Sequence, residues 1–505
     1  MDDPGSGIKH PVSDLAVYRA AVEHDPDDSE GVFQLALKYR DAGLPLDSIH
    51  WFQKRLEQGG WVEELWYSRY QICLIHQSLG NMKEADEWGR NAFQYRPGRA
   101  EAALALGRIA LAGGKAAMAV LYANMAANTP VSRDVLFPDP AAYGLEPWML
   151  ISVAAYYAGL PGLGLKACDR VLAMRGVSWD QKNQTRNNAF FYLEPCPGEM
   201  LRFDLSPPLI EGNLTERYRP LNPSLWLDGE TGRRYGNIRH VNFNTDGGNY
   251  TSLAPDQQIR TRNFWVEWDP TGKLLQSFEI VDGLNWEKIE YPVKGLEDLR
   301  IFFHHGRWKF TCTSHEKTGL PQMMLGVLTV DPDRDSQRWM IESLHHLQGA
   351  DVQPIEKNWL PFLDDSGELK ILYHSDPTRI GHLDEDTAEL FIDTVHSPQW
   401  NGEDFRGSAP PIPFRDGYLY LIHEVAFQEW RRYTHRFIWM DHQYKIQRVS
   451  MPFYFDTPGV EFATGLAWDG TFLWVGYGWE DKEARLRRMT GQELDSLWRS
   501  PESIS

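Results

Sequence analysis

The stretch 300-RIFFHHGRWKFTCTS-314 decides the fold of the second half of the chain. It is rich in β-branched and aromatic residues, which are typical of strands. Similar short runs recur from about residue 215, such as 264-FWVEWD-269, 418-YLYLIHEV-425 and 472-FLWVGYGW-479, with turn sequences such as 269-DPTGK-273 between them. No helical period of any length intervenes. The pattern predicts an all-β segment: a sandwich, a barrel or a propeller.

The chain before about residue 195 has a helical pattern instead. Apolar residues recur at three- and four-residue spacing in stretches that end in glycine. Each of four glycines is followed five residues later by a small residue, which would let the next helix pack closely. The 34 residues from Gly80 to Gly114 match the tetratricopeptide period. The four pairs are Gly43 and Ser48, Gly80 and Ala85, Gly114 and Ala119, and Gly159 and Gly164.

This half resembles a tetratricopeptide-type α-solenoid over roughly residues 12–190. Such a solenoid presents a concave face to a partner protein or to the second domain of the same chain. A plain helical bundle without a partner is the alternative.

Composition limits the classes of function. The 505 residues carry 51 Lys and Arg against 70 Asp and Glu, a net charge of −19. This balance argues against non-specific binding to nucleic acid or to anionic lipid. The hydrophobic share of 42% and the charged share of 24% exclude wholesale disorder.

Targeting and cysteine signals are weak. The first residues do not form a signal peptide, and no 18-residue apolar run predicts a membrane span. The scattered cysteines contain no CxxC, which argues against a disulfide framework and a cysteine zinc site. We therefore expect a cytoplasmic protein without a metal cofactor. The four cysteines are Cys73, Cys168, Cys196 and Cys312.

Polar clusters stand before successive groups of predicted strands. The intervals from Glu297 to Glu356, Arg406 and Glu461 are 59, 50 and 55 residues in turn, and each fits one four-stranded blade. Five such units fit residues 215–495, which favours a five-bladed propeller. Because the inner strand of every blade points at the axis, residues distant in sequence would converge on one site.

We therefore expect a multidomain α + β chain. Its parts are a flexible N-terminus (1–11), a helical repeat domain (12–195), a linker (196–214), a five-bladed β-propeller catalytic domain (215–495) and a C-terminal tail (496–505).

The polar motifs resemble those of the five-bladed β-mannoside phosphorylases and related β-mannosyltransferases over about residues 215–490. That family opens with Asn-Pro and has a Glu-Asp-Pro-Arg catalytic motif, in which Leu299 here replaces the proline. No equivalent of the phosphate-holding arginine of the phosphorylases is evident. The matching positions are Asn222-Pro223, Glu297 to Arg300, Lys357-Asn358, Gly417 to Leu419 with His423, and Tyr477-Gly478 with Asp481.

The residues themselves support a site for inverting glycosyl transfer. One carboxyl group must move a proton to or from the acceptor oxygen, and cations must support the departing phosphate. Asp298 is the candidate acid/base. On an extended strand Glu297 would face the other way, and Arg300 would return to the face of Asp298. A structural ion pair between Asp298 and Arg300 is the alternative.

The remaining candidates divide by charge. The predicted donor-phosphate ligands are Lys357, Arg379, Arg406 and His423. The predicted sugar-binding residues are Asn222, Glu297, Arg300, Asn358, Glu461, Tyr477 and Asp481.

The sequence thus predicts a glycosyltransferase that moves a hexose, with mannose favoured, from a nucleotide sugar to a glycan or a protein-linked acceptor. A glycoside phosphorylase that uses inorganic phosphate or a sugar 1-phosphate is one alternative. A non-catalytic glycan-binding scaffold, with a protein partner on the helical repeats, is the other.

Overall fold

The computed structural model describes residues 11–203, 209–210, 213–246, 249–284, 293–315, 319–330, 338–349, 353, 355–398 and 400–498. The chain divides into two compact units, Met1–Tyr192 and Leu193–Ser505. The predicted N-terminal extension, apart from its last residue, and residues 499–505 of the predicted tail lie outside the described residues.

The first unit is helical. A short 3₁₀ turn, Pro140–Tyr143, precedes its eighth helix. The helices are α1 (Pro11–His24), α2 (Ser29–Asp41), α3 (Pro45–Gln58), α4 (Val62–Ser78), α5 (Met82–Tyr95), α6 (Ala100–Ala112), α7 (Ala116–Ala127), α8 (Leu145–Tyr157), α9 (Pro161–Ala173) and α10 (Trp179–Ala189).

A repeated glycine cap ends the first helix of each pair. After α2, Gly43 has φ of +71°, a left-handed conformation that glycine adopts without steric cost. The amide of Gly43 donates to the carbonyl of Arg40, and the amide of Leu44 donates to that of Tyr39. Two carbonyls at the helix end are thereby satisfied. Gly80, Gly114 and Gly159 end α4, α6 and α8 in the same way.

The small residues that follow these caps are buried in the second helix of each pair. Ser48, Ala85 and Ala119 have no exposed surface. At Gly164, the ring of Tyr192 occupies the space that a Cβ would need, with its nearest atom 2.2 Å from the ideal Cβ position. The predicted close packing is therefore present at all four positions.

The second unit is built from strands, with one short helix, α11 (Gly491–Asp495). Its strands are β1 (Glu199–Arg202), β2 (Leu209–Ile210), β3 (Asn213–Arg217), β4 (Arg219–Leu227), β5 (Arg234–Val241), β6 (Phe243–Asp246), β7 (Asn249–Ser252), β8 (Ile259–Trp268), β9 (Leu274–Val281), β10 (Val293–Lys294), β11 (Glu297–His304), β12 (Arg307–Ser314), β13 (Gln322–Val330), β14 (Trp339–His346), β15 (Leu360–Leu363), β16 (Leu369–Ser375), β17 (Thr378–Asp384), β18 (Glu389–His396), β19 (Arg406–Gly407), β20 (Ile412–Pro413), β21 (Gly417–Phe427), β22 (Arg431–Asp441), β23 (Ile446–Val449), β24 (Glu461–Trp468), β25 (Phe472–Trp479) and β26 (Glu483–Thr490).

Most of these strands form five successive antiparallel sheets, while β2 with β3 and β6 with β7 form two small two-stranded sheets and β10 pairs in parallel with β8. The first has the order β4-β5-β8-β9, the second β11-β12-β13-β14, and the third β15-β16-β17-β18. In the fourth, β19 and β20 both pair with β21, which is followed by β22 and β23. The fifth has the order β24-β25-β26-β1. A parallel pairing of β14 with β9 joins the first two sheets.

The five sheets follow one another in a closed cycle. Strand β4 contacts both β11 and β24, β11 contacts β15, β16 contacts β19, and β21 contacts β24. The fifth sheet is completed by β1, which pairs with β26 in register from Glu199 opposite Arg488 to Arg202 opposite Arg485. The expectation of a plain linker over 196–214 is therefore wrong for β1, because this strand belongs to the last sheet.

Aromatic and aliphatic side chains fill the space between adjacent sheets. Phe302 of the second sheet packs in one cluster with Trp359 and Ile371 of the third. Leu421 of the fourth packs with Leu466 and Val475 of the fifth. Aromatic side chains thus contribute to the contacts between adjacent sheets.

In the part of the chain that the structure describes, every helix falls short of the length or the apolar character that crossing a bilayer requires. Cys73, Cys168, Cys196 and Cys312 are free thiols, and all four are buried.

The packing at the caps predicts a position-dependent response to larger side chains. Ala119→Leu should lower the free energy of unfolding of the first unit by about 1–3 kcal/mol, because a buried position without space is overpacked. Ala117→Leu is the matched control, since Ala117 is exposed in the same helix. Urea unfolding followed by circular dichroism measures both. Equal stability of the two variants would contradict the packing described here.

Candidate active site

The second unit contains a cavity of about 560 Å³ whose lining residues come from all five sheets or the loops that lead into them. Eight of the twelve predicted site residues line it: Asn222, Glu297, Asp298, Lys357, Asn358, Arg406, His423 and Asp481.

Four of these residues share a backbone conformation that is rare outside glycine. The angle φ is +48° at Asn222, +54° at Asp298, +65° at Asn358 and +50° at Asp481. Asn and Asp enter the left-handed region more readily than other residues with a Cβ. Residues held there cluster at functional sites, because the surrounding fold must offset the strain. With Glu480, five of the eleven non-glycine residues with positive φ that the structure describes line this cavity.

Asp298 lies in a β-bulge. The register between β11 and β12 shifts between Glu297 and Arg300, so the side chains there do not alternate strictly. Both Glu297 and Asp298 consequently line the cavity. The expectation that Glu297 faces away from Asp298 is therefore wrong, and the bulge is the reason.

Two side chains from the first sheet hold the carboxylate of Asp298. Its Oδ1 accepts a hydrogen bond of 2.8 Å from Nδ2 of Asn222 and one of 2.9 Å from Nη1 of Arg239. Arg239 is itself buried and donates through Nε to the hydroxyl of Thr261 at 2.9 Å. The carboxylate therefore has a fixed position.

The pKa of Asp298 is lowered from its ordinary value. Burial alone would raise this pKa, but the charge of Arg239, the hydrogen bond from Asn222 and the charge of Arg300 together outweigh burial. Asp298 is therefore ionised at neutral pH and can accept a proton.

The carboxylate of Glu297 lies between two cations of the cavity, Arg239 and Lys357. Its Oε1 lies 3.7 Å from Nη2 of Arg239, and its Oε2 lies 3.6 Å from Nζ of Lys357. Lys357 has a side chain that is 42% exposed, so much of its ammonium group stays accessible to a ligand.

Arg406 is one of the exposed cations that line the cavity. It lies directly opposite His423 in the pairing of β19 with β21. Among the described residues it has no ion-pair partner within 4 Å. A guanidinium without a carboxylate partner is suited to bidentate binding of phosphate.

His423 is a neutral group rather than the predicted cation. Burial, followed by the charges of Arg406 and Arg300 and the neighbouring His435, holds its pKa well below the ordinary value. Its Nδ1 is buried and has no hydrogen-bond partner among the described residues. The ring stacks on Tyr433 at a centroid distance of 5.6 Å, so its orientation is fixed.

Two predicted arginines do not line the cavity. Arg300 is buried beneath it and donates from Nη2 to the carbonyl of Ser408 at 3.0 Å, so it braces the fourth sheet rather than a sugar. Arg379 lies in the third strand of its sheet, with its guanidinium 5.3 Å from the ring centroid of Tyr373. The predicted placement of Arg379 at the axis is therefore wrong.

Glu461 does not line the cavity either. It is fully buried, and its carboxylate accepts hydrogen bonds from three backbone amides, those of Phe455, Asp456 and Thr457. The predicted sugar contact is therefore wrong, because this carboxylate serves to hold a loop.

Tyr477 is likewise part of the core. Its hydroxyl donates to Asp456 at 2.5 Å, and its ring stacks on Phe455 at a centroid distance of 4.2 Å. It has no exposed surface and cannot contact a sugar. The predicted sugar contact of Tyr477 is also wrong.

Sequence reasoning missed several residues of the cavity, among them Arg239, Trp430, Arg431 and Tyr433. Arg239 was available as a signal, since it is a charged residue inside the apolar run 238-IRHVNFN-244. Arg431 and Tyr433 lie at the start of β22, and Trp430 lies at the hairpin tip before it, where no motif stands.

No protein-family model matches this chain, and no curated protein matches it. Among solved structures, the chain is similar to β-1,2-mannobiose phosphorylase from Listeria innocua at 14% identity, covering 59% of this chain and 98% of that one, with a TM-score of 0.40. The chain also aligns, at 13% identity, with a structure from the GH130 family of mannoside phosphorylases. That family contains glycoside hydrolases that target β-1,2 mannosidic linkages in Candida mannan. That alignment covers 58% of this chain and 94% of the other, with a TM-score of 0.41.

The protein MamA is also similar, at 17% identity over 37% of this chain and 99% of its own length, with a TM-score of 0.28. Identities and scores at this level transfer no activity to the chain.

The geometry predicts which cation binds phosphate. Arg406→Ala should weaken the binding of inorganic phosphate by about 1.5–3 kcal/mol, because a hydrogen bond to a charged group is lost. Arg379→Ala is the matched control and should leave the affinity unchanged, since Arg379 lies outside the cavity. Isothermal calorimetry on both variants tests this. A larger loss with Arg379→Ala would move the anion site to the third sheet.

Proposed function

We propose that the second unit is a five-bladed β-propeller enzyme that transfers a hexosyl group between a sugar hydroxyl and phosphate. The activity that fits best is that of a glycoside phosphorylase acting on a β-mannoside. The observation that carries this proposal is the meeting, in one cavity, of the ionised Asp298 with the accessible cations Arg406 and Lys357.

The cations remove the objection that the sequence raised to phosphorolysis. The motifs of the resembling family place a phosphate-holding arginine where this chain has none. Arg406 and Arg431 both line the cavity, and Lys357 does so as well. A phosphate can therefore be held by cations that come from other positions of the chain.

The proposed reaction balances as follows. In the synthetic direction, ionised Asp298 takes the proton of the acceptor hydroxyl while that oxygen bonds to the anomeric carbon. The bond between this carbon and the phosphate oxygen breaks, and phosphate leaves with the bonding electrons, supported by Arg406 and Lys357. In the phosphorolytic direction, phosphate attacks the anomeric carbon and the leaving sugar oxygen takes the proton from Asp298.

The ionisation of Asp298 has a consequence for direction. A carboxylate with a lowered pKa is ready as a base, as synthesis requires. Phosphorolysis needs the protonated acid, and the negative charge of bound phosphate favours that form because like charges disfavour ionisation. One residue can thus serve both directions.

A nucleotide-sugar transferase is the second candidate. The same cluster of cations would hold a diphosphate, and Asp298 would again be the base. The two candidates differ in donor, so ³¹P nuclear magnetic resonance of β-mannosides with phosphate, beside GDP- and UDP-sugars with an acceptor, separates them. The phosphorylase proposal expects a sugar 1-phosphate to form. Release of a nucleoside diphosphate alone would favour the transferase.

We also propose that the first unit is a tetratricopeptide-type solenoid that binds a protein partner or a protein-linked acceptor. The repeated cap followed by a buried small residue supports this. If the solenoid serves only to recruit a partner or an acceptor, a variant that lacks the first unit should still turn over free oligosaccharides.

Replacement of the proposed acid/base tests catalysis. Asp298→Asn keeps the size of the side chain and can accept from Asn222 and Arg239, but it cannot carry the proton. Turnover should fall by about 10²–10⁴, while phosphate still binds. Asp416→Asn is the matched control, because Asp416 is exposed in a turn away from the cavity lining. Turnover by Asp298→Asn within a few-fold of the wild type would exclude Asp298 as the catalyst.

The charge of Arg239 predicts a shift in pH dependence. In the synthetic direction kcat/KM requires ionised Asp298, so it falls as the pH drops through the pKa of this group, which in the wild type lies below the ordinary value. Arg239→Met leaves the burial but removes the opposing charge, so the acid limb should move to higher pH.

The pH profiles of the wild type and of Arg239→Met with the same sugar 1-phosphate measure this shift, since titration of the substrate is common to both. Arg415→Met is the control, because Arg415 pairs with Asp495 on the surface. An unchanged acid limb in Arg239→Met would show that another group controls it.

A further inference from the structure

Two hairpins carry exposed aromatic rings to the cavity. Tyr250 lies in β7, which pairs with β6 in a separate two-stranded sheet, and is 51% exposed. Trp430 lies at the tip of the β21–β22 hairpin of the fourth sheet and is 55% exposed. Both residues line the same cavity as Asp298. Two large rings are thus half open to solvent at a site that is otherwise mostly polar.

The ring of Tyr250 is held in place by a buried neighbour. The ring of Tyr250 packs edge-on against Phe243 at a centroid distance of 4.8 Å and an angle of 83°. Phe243 is buried in a cluster with Leu221 and Ile259, which anchors the hairpin. The orientation of Tyr250 is therefore set before any ligand binds.

The tip that carries Trp430 is also braced. The amide of Gln428 donates to the carbonyl of Trp430 at 3.4 Å, and Nη2 of Arg432 donates to the side chain of Gln428 at 2.7 Å. These two bonds order the backbone of the tip that carries the indole ring, and an ordered tip loses little conformational entropy when a ligand stacks on that ring.

The groups around the rings indicate the class of ligand. Arg431, Glu480 and Lys482 line the cavity together with Trp430 and Tyr250, so charged and aromatic groups occur in the same cavity. A pyranose ring offers the matching surface, since its C–H face is apolar and its edge carries hydroxyl groups. A lipid chain or an apolar peptide would leave the charged groups without partners.

We infer that Trp430 and Tyr250 form a stacking platform for a sugar unit beyond the bond that is broken at Asp298. The substrate is then an oligosaccharide or a glycan chain rather than a disaccharide. This inference rests on the proposed function. A nucleobase also has a flat face that stacks on aromatic rings, so the experiment includes nucleotides.

The test compares chain lengths. The full chain and its Trp430→Ala, Trp430→Phe and Tyr250→Ala variants are assayed with phosphate and β-mannosides of two, three and four units. The ratio of kcat/KM for four units to that for two should fall about tenfold in Trp430→Ala, and Trp430→Phe should restore most of it because a flat ring is kept. Phe427→Ala is the matched control, since Phe427 is an exposed aromatic residue at the end of β21 that does not line the cavity.

Affinities for the same oligosaccharides, for phosphate and for GDP are measured by calorimetry on each variant. Unchanged phosphate affinity shows that a variant has kept its fold. Turnover by the wild type with an unchanged ratio in Trp430→Ala and Tyr250→Ala would overturn the platform and leave the proposed function standing. A loss of GDP affinity without a loss of oligosaccharide affinity would also overturn it, in favour of a nucleobase.

The remaining outcomes concern a wild type that turns over no mannoside. If its affinity still rises with chain length and Trp430→Ala abolishes that rise, the platform is supported and the proposed function fails. If affinity does not rise with chain length, both fail.

Discussion

The pairing of β1 with β26 is the contact on which the second unit depends. It joins residues 199–202 to residues 485–488 and so completes the fifth sheet, whose first strand, β24, contacts β4 of the first sheet. The cavity receives side chains from every sheet, so its geometry exists only when the cycle is closed. A site assembled in this way is preorganised by the whole unit rather than by one local loop.

In the cavity, buried charges determine whether Asp298 is ionised. Desolvation works against the ionised form of Asp298, and Arg239, whose Nη1 lies 2.9 Å from the carboxylate, reverses the balance together with Asn222 and Arg300. Arg239 in turn has two carboxylates nearby, because the bulge in β11 turns Glu297 to the same side. Arg406 also lines the cavity, and among the described residues no carboxylate lies within ion-pair distance of it.

Local sequence signals predicted much of this arrangement. Glycine followed by a small residue marked the helix pairs, and the short aromatic runs marked the strands, because both depend on neighbours in the chain. The positions of Asn222, Asp298 and Lys357 before successive groups of strands were enough to predict that these residues share one site. Neither the twelve-residue set nor its roles could be predicted in full.

The failures have physical causes. Strand alternation misplaced Glu297 because a bulge is not visible as a change of period. Glu461 and Tyr477 carry polar groups that look available in a sequence, but their partners are backbone amides and Asp456, which only the folded chain brings near. Arg379 was misplaced because the sequence does not distinguish a charged residue in the third strand of a sheet from one in its first strand. Trp430 had no signal, since the tip 428-QEW-430 lacks the Gly, Asn and Asp residues that usually mark a hairpin turn.

The left-handed backbone of Asn222, Asp298 and Asn358 also restricts what these positions tolerate. Residues with a Cβ other than Asn and Asp hold this conformation at a cost of roughly 1–2 kcal/mol each. An alanine scan of the cavity would therefore mix loss of chemistry with loss of backbone fit, and it would overstate the importance of each side chain. Exchanges between aspartate and asparagine keep the backbone conformation, so they report on the loss or gain of charge. During evolution, these positions should exchange between asparagine and aspartate, or change to glycine, before they accept any other residue.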